Sequence, residues 1–251
     1  KKGESKVSYN AYYAQQELPR RIEMMNLPQF ADYQAQVTAD LGLQLNQRYL
    51  DPSLLGPGTD WQDEVFRQAG MHSHQLSVSG GGDKMTYAIS GGLFQQDGII
   101  IGSDFNRYTT RINLDNQVKS WLKIGGSFAY ANTNEKITLN DGGDGVIIQA
   151  LVMAPDVPVK DINGEYAGPE AQAGASSYNP VAAALQRNNT LKRQRIMANV
   201  YGDLTLMKGL TFRSELSFDD NNSLNKAFQP TYKWGVLINR ENQLRQREES
   251  S

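Results

Sequence analysis

"RYTTRINLDNQVKSWLKIGGSFAYA", Arg107–Ala131, alternates polar and apolar residues, turns, and alternates again. Tyr108, Thr110, Ile112, Leu114 and Val118 share one parity. After Lys119-Ser120 so do Leu122, Ile124, Gly126, Phe128 and Tyr130. Side chains of a strand point to alternate faces, so the stretch reads as a β-hairpin with one apolar and one polar face. The apolar face can meet a packed core, as in a soluble sandwich, or lipid, as in a membrane barrel. The rest of the chain must decide between them.

Composition leaves both open. The 251 residues are 39% hydrophobic and 21% charged, with a mean hydropathy of −0.55. Such values suit a soluble protein and also a porin-like wall, in which only every second residue faces lipid. No run approaches the ~18 apolar residues of a membrane helix. The net charge is −2, and no basic cluster marks a nucleic-acid surface. Without cysteine, disulfide frameworks and thiolate metal sites are excluded. The chain opens on "KKGESKVSYN" and closes on "INRENQLRQREESS", with neither a signal core nor a clear last element, which reads as a fragment.

Outward from the hairpin, strands are expected near 6–16, 72–80, 84–96, 107–118, 121–132, 191–207 and 210–221, with long loops at 17–71, 133–190 and 222–251. "HQLSVS" meets "MTYAISGGLFQ" across Gly80-Gly81-Gly82-Asp83, and a later hairpin turns at Lys208-Gly209. In the first loop Asn26, Pro28 and Gly42 bracket a helix carrying Phe30, Tyr33, Val37 and Leu41. Thr59 and Gln62 have capping-box spacing before a short second helix. In the second, "VIIQALVMAP" reads as helix or buried strand, favoured as an element packed over a barrel mouth, and Asn163-Gly164 suits a type I′ hairpin. "TYKWGVLI" in the tail reads as a further strand.

The connections between strands run long, tight, intermediate, tight, long, tight, then the long tail. Nothing in a sandwich requires that rhythm, whereas outer-membrane barrels have short periplasmic turns and long extracellular loops. Arg111, Asn113, Asp115 and Lys123 oppose the apolar stripe, as do Arg213, Glu215, Ser217 and Asp219, which suits a wet lumen. Tyr108 and Tyr130, far from the turn, fit an interfacial girdle. The balance falls toward lipid.

The segments "TDWQDEVFRQAG", "LSVSGG", "GLFQQDGII", "SDFNRYTTRINLD" and "WLKIGGSFAYAN" resemble the SusC/RagA family of TonB-dependent outer-membrane transporters of Bacteroidetes. "KVSYNAYY", "MAPDVPVKDINGEYAG", "NPVAAAL" and "ANVYGDLTLMKGLTFRSELSFD" extend the likeness in order along most of the chain. The resemblance implies an all-β fold: an antiparallel transmembrane β-barrel segment, roughly seven or eight strands of a larger 22-stranded type, with long, partly helical extracellular loops. It also implies location in the outer membrane of a Gram-negative bacterium and import of oligosaccharide or peptide. The implied partners are a SusD-like lipoprotein, outer-membrane lipid, and TonB through an N-terminal region missing here, since no plug domain or TonB box can be placed in the chain. The rival reading is a soluble β-sandwich glycan-binding module.

Arg111, Asn113, Asp115, Lys123, Arg213 and Glu215 are the expected lumen-facing ligand contacts, and Tyr108, Ile112, Leu114, Ile124, Phe128 and Tyr130 the lipid-facing set. Other candidates are weaker. His72 and His74 share a face, but zinc takes three or four protein ligands, so they read as polar strand-end residues. "SGGGDK" lacks the phosphate-loop spacing. "NDGGDG" and "FDDNNS" lack the ligand pattern of an EF-hand. Trp61 and Trp121 suit sugar stacking, though Trp121, beside a tight turn, reads more simply as an interface anchor. No nucleophile–base constellation, metal or cofactor signature appears, so no enzyme is expected.

Overall fold

In the computed structural model, residues 3–139, 143, 145–170 and 177–251 are described. Eight strands form one antiparallel sheet in the order β1-β2-β3-β4-β5-β6-β7-β10. They are β1 Lys6–Gln16, β2 Ala69–Gly81, β3 Met85–Asp97, β4 Asp104–Lys119, β5 Leu122–Lys136, β6 Asn188–Met207, β7 Leu210–Gln229 and β10 Gln243–Ser250. Each sequence neighbour is a sheet neighbour until β8 Tyr232–Trp234 and β9 Leu237–Asn239, which pair only with each other. All the tight turns therefore lie at one end of the sheet and all the long connections at the other. This antiparallel wall has the fold expected of a piece of an up-and-down barrel.

The register puts Tyr108, Ile112, Leu114, Ile124, Phe128 and Tyr130 of the opening hairpin on one face, while Val118 falls in the bulge. Ile112 pairs with Phe128 and Ile89, Ile89 with Val78, and Val78 with Val7. On the other side Phe128 pairs with Ala198, and Ala198 with Phe218. An unbroken apolar row thus crosses seven strands. It has no protein to cover it: Val7, Tyr9, Tyr13, Leu216 and Phe218 are exposed, Leu216 to 76%. A soluble sheet exposing so wide an apolar face would aggregate.

The apolar band does not run level along the register. Its upper edge is Tyr13 on β1, Leu93 on β3, Tyr108 on β4, Tyr130 on β5, Ile196 on β6 and Phe218 on β7. The pairing carries Phe218 back to Val7, well short of Tyr13. The edge slides toward the tight-turn end by roughly one residue per strand, as tilted strands require if the band is to stay level in a bilayer.

The buried core lies in the long connections, not in the sheet. α1 Leu27–Asp40 is capped by Asn26, whose side chain accepts from Gln29 N–H while the Gln29 side chain accepts from Asn26 N–H. It ends where Gly42 takes a positive φ of 64°. α2 Trp61–Val65, α3 Val146–Val152 and α4 Pro180–Gln186 bury Trp61, Val65, Val146, Ala150, Met153, Val181 and Ala182 against Ile100, Tyr178 and Trp234. This cap sits over the end of the sheet bearing the long connections.

Several local expectations are corrected. Asp60, not Thr59, caps α2, accepting from Gln62 and Asp63 N–H at 3.0 and 3.2 Å. The Thr59 hydroxyl donates instead to Val157 O at 2.7 Å. Only Gly164 of Asn163-Gly164 has positive φ, so the turn is not type I′. Asp161 O accepts from Gly164 N–H, and the Asp161 carboxylate accepts from Asn163 and Glu165 N–H. The hairpin turns fall at Gly82-Lys84, Ser120-Trp121 and Lys208-Gly209. A bulge between Gln117 and Lys119 moves the second of these by one residue. The tail is not an irregular loop, since β7 runs to Gln229 and β10 adds the eighth strand. "VIIQALVMAP" is helical over Val146–Val152, and "TYKWGVLI" is the small β8–β9 hairpin.

Candidate functional site

The polar face of the sheet carries a laced charge network. Arg111, Asn113, Asp115, Lys123, Arg213 and Glu215 all project from this face, by strand parity and register. Asp115, Lys123 and Arg213 come together around Tyr201, a residue the sequence reading passed over. Lys123 Nζ lies 3.6 Å from Asp115, and the Tyr201 hydroxyl donates to the Asp115 carboxylate. The Arg213 guanidinium stacks 4.5 Å from the Tyr201 ring centre and grips Asp203 with two nitrogens at 2.5 and 2.8 Å.

Gly125 makes that arrangement possible. A Cβ there would stand 2.3 Å from Asp115 Oδ1 and 2.5 Å from the Tyr201 ring, so the ring can lie flat only over a glycine. Glu215 pairs across from Tyr201 and accepts from Asn199 Nδ2 at 2.5 Å. Arg195 holds Asp219 bidentately at 3.0 and 2.7 Å, and Arg193 meets Glu135 at 2.5 Å. Asn113 and Arg111 stand apart from the cluster, opposite Ser127 and Ala129. The pairings were not legible by counting, because a register shift between Thr205 and Met207 moves Asp203, and not Leu204, opposite Arg213. Parity alone marks a polar face and does not say which charges meet.

The apolar candidates Tyr108, Ile112, Leu114, Ile124, Phe128 and Tyr130 share the opposite face. His72 and His74 lie on that same face, above Leu76 and Val78, with ring centres 5.2 Å apart. His74 Nδ1 shares a 2.6 Å hydrogen bond with the Tyr9 hydroxyl. Among the described residues no group of three or more potential metal ligands comes together. In "NDGGDG", residues 140–142 and 144 lie outside the described set. "FDDNNS" is part of β7. Trp61 is only 3% exposed, with Nε1 donating to Ala154 O at 3.0 Å, so it is not a sugar platform. Trp121 is half exposed, in the turn itself.

In the cap, the two long loops are tied to each other. Arg48 donates to Asp156 at 2.9 Å and to Glu170 at 2.5 Å. The Tyr49 hydroxyl donates to the same Asp156. Burial first, and Asp156 second, push the Tyr49 hydroxyl well above its ordinary pKa. Asn179 is fully buried, caps α4 through Ala182 N–H, and donates to Val159 O and Ala167 O, both at 2.8 Å. Tyr232 stacks on Trp234 at 3.8 Å, and Trp234 donates to Gln186.

A staggered wall of tilted strands, apolar on one face and charged on the other, with its loops folded over one end, has the architecture of a piece of a transmembrane β-barrel. The chain is related in sequence to TonB-dependent receptors, SusC among them. It is 30% identical over 241 residues to the TonB-dependent receptor P3 of Formosa agariphila, covering 92% of this chain and 23% of that protein. It is 31% identical over 108 residues to the TonB-dependent receptor SusC of Bacteroides thetaiotaomicron, covering 43% of this chain and 10% of SusC. The open-open state of the RagAB peptide importer shares the fold with a TM-score of 0.72 at 22% identity, over 93% of this chain and 30% of that one. No protein-family model matches. The chain spans less than a quarter of the length of the curated relatives.

Proposed function

We propose that the chain forms wall and outer loops of an outer-membrane active transporter of a Gram-negative bacterium, importing oligosaccharides or peptides. The observation that carries this reading is an eight-stranded sheet whose apolar face has no core to cover it, with every long connection at one end. Lipid supplies the missing cover, and the charged face lines the water-filled path. The work is binding and passage, not bond chemistry. Cargo meets Arg111, Asn113, Asp115, Lys123, Arg213 and Glu215 on the wall, with the folded loops above. A SusD-like surface lipoprotein is the partner at the cap, and TonB supplies the energy to the parent receptor. Support for these partners comes from relatedness to TonB-dependent receptors.

Phase partitioning tests the proposal. The receptor carrying this segment is expected in the outer-membrane fraction and in the detergent phase, and its deletion should abolish uptake of its cargo. Folding without detergent, into a particle that stays in the aqueous phase, would sink it in favour of a soluble module.

A further inference from the structure

On the polar face, four arginines are matched by carboxylates. Arg193 meets Glu135, Arg195 meets Asp219, Arg213 meets Asp203 and Arg247 meets Glu249. Two arginines near the cap break the pattern. Arg187, at the end of α4, and Arg245, on β10, both line one cavity of about 240 Å³ below the cap. Among the described residues neither makes an ion pair. Arg187 lies against the rings of Tyr178 and Trp234, 4.9 and 5.8 Å from their centres, and its Nε is buried with no hydrogen-bond partner. A buried guanidinium N–H without an acceptor is rare in folded proteins, so it asks for an explanation.

The register explains why there is space. Arg245 pairs with Ala227, and Ala227 with Asn189, so a methyl group separates the two polar flanks. Asn189, Gln229 and Gln243 add amide donors to the same wall. A cavity with two forked cations, amide donors and no carboxylate among its lining residues is built for an oxyanion.

We propose that this cavity is a subsite for an anionic oxygen group of the cargo, a carboxylate or a sulfate, with Arg187 and Arg245 as the residues that select it. The inference rests on the transport reading and narrows its substrate class. Arg111 and Arg107 lie further along the same face, also without an ion pair among the described residues. They give such a cargo a second foothold past the subsite.

The test uses the whole receptor in detergent and calorimetric titration with matched probes. These are an oligogalacturonate and its methyl ester, a sulfated oligosaccharide and its desulfated form, and a short acidic peptide and its amidated form. At least one anionic probe is expected to bind about 10- to 100-fold more tightly than its neutral partner, and to weaken with salt. The probe pair showing the preference names the source. Arg245→Gln, at an exposed position, and the double variant R187Q/R245Q should bring the ratio toward one. Heat-dependent mobility in gels checks that each variant still folds. Equal binding of anionic and neutral probes, no binding of any anionic probe, or a preference that survives both variants overturns the proposal. Each of those results leaves the transport reading to be judged by partitioning and uptake.

Discussion

Arginine at Ile112 and arginine at Asn113 should have opposite consequences, although the two residues are neighbours. Ile112 sits mid-row between Ile89 and Phe128, with apolar rows above and below it on the same face. From there a guanidinium reaches neither edge of the band without bending past other apolar side chains. The cost of arginine at a bilayer midplane is ~2–4 kcal/mol, roughly a 30- to 700-fold fall in the folded-to-unfolded ratio. Asn113 faces the polar side opposite Ser127, where an added arginine meets water. A change within about 0.5 kcal/mol is expected there. Arginine at Tyr108 or Tyr130, on the band's upper edge, should cost about 0–1 kcal/mol, because the long side chain reaches the interface. The assay is reversible urea unfolding of the receptor in lipid vesicles, followed by tryptophan fluorescence. Equal tolerance at Ile112 and Asn113 would refute the assignment of faces, and with it the membrane reading.

Asn179→Ala removes the cap of α4 and leaves two part-buried carbonyls without their donor, so the cap should lose about 1–3 kcal/mol of local stability and become susceptible to limited proteolysis. Trp234→Ala should loosen the cap by about 3–5 kcal/mol while the strands stay protected from hydrogen exchange, because the sheet does not lean on that core. The raised Tyr49 pKa makes the folded cap hold a proton that the unfolded chain gives up near the ordinary value of 10. Its contribution is therefore full below pH 10 and fades as pH climbs beyond it. A pH series of proteolysis rates should be flat from pH 6 to 9 and rise above 10, and Tyr49→Phe should flatten that rise.

Parity made the hairpins legible because each strand inside the apolar band writes its two faces into alternate residues. The same reasoning explains what was missed. β7 beyond Phe218 and the whole of β10 rise out of the band, where only Leu224, Phe228 and Leu244 remain on the apolar side and the alternation thins out. "QREES" reads as a tail although it is paired residue by residue with β7. The cap core was hidden for another reason. Trp61, Ile100, Val146, Val181 and Trp234 are scattered along the chain, and no local pattern announces that they meet. Asn26 was readable as a helix start because capping is local. Asp60 was hidden behind Thr59, because Thr59 has Gln62 at capping-box spacing and only the contact of its hydroxyl with Val157 O takes it out of the cap. On the polar face the residue types were evident and their pairings were not. The Tyr201 cluster depends on a bare glycine across the strand, which carries no signal of its own.

The sideways drift of the aromatic edge fixes a geometry larger than this piece. One residue of slip per strand, at ~3.3 Å rise and ~4.8 Å spacing, is an inclination of about 35° to the membrane normal. At that inclination a closed ring of 22 strands would have a radius of about 20 Å. Any strand joining either edge must inherit the same slip or tear the hydrogen-bond ladder. An insertion of one residue in β4 would turn its lipid side inward. An insertion of two would keep the faces but lift or sink Tyr108 by two strands' worth of stagger. The wall thus behaves like a screw thread whose pitch these eight strands already set.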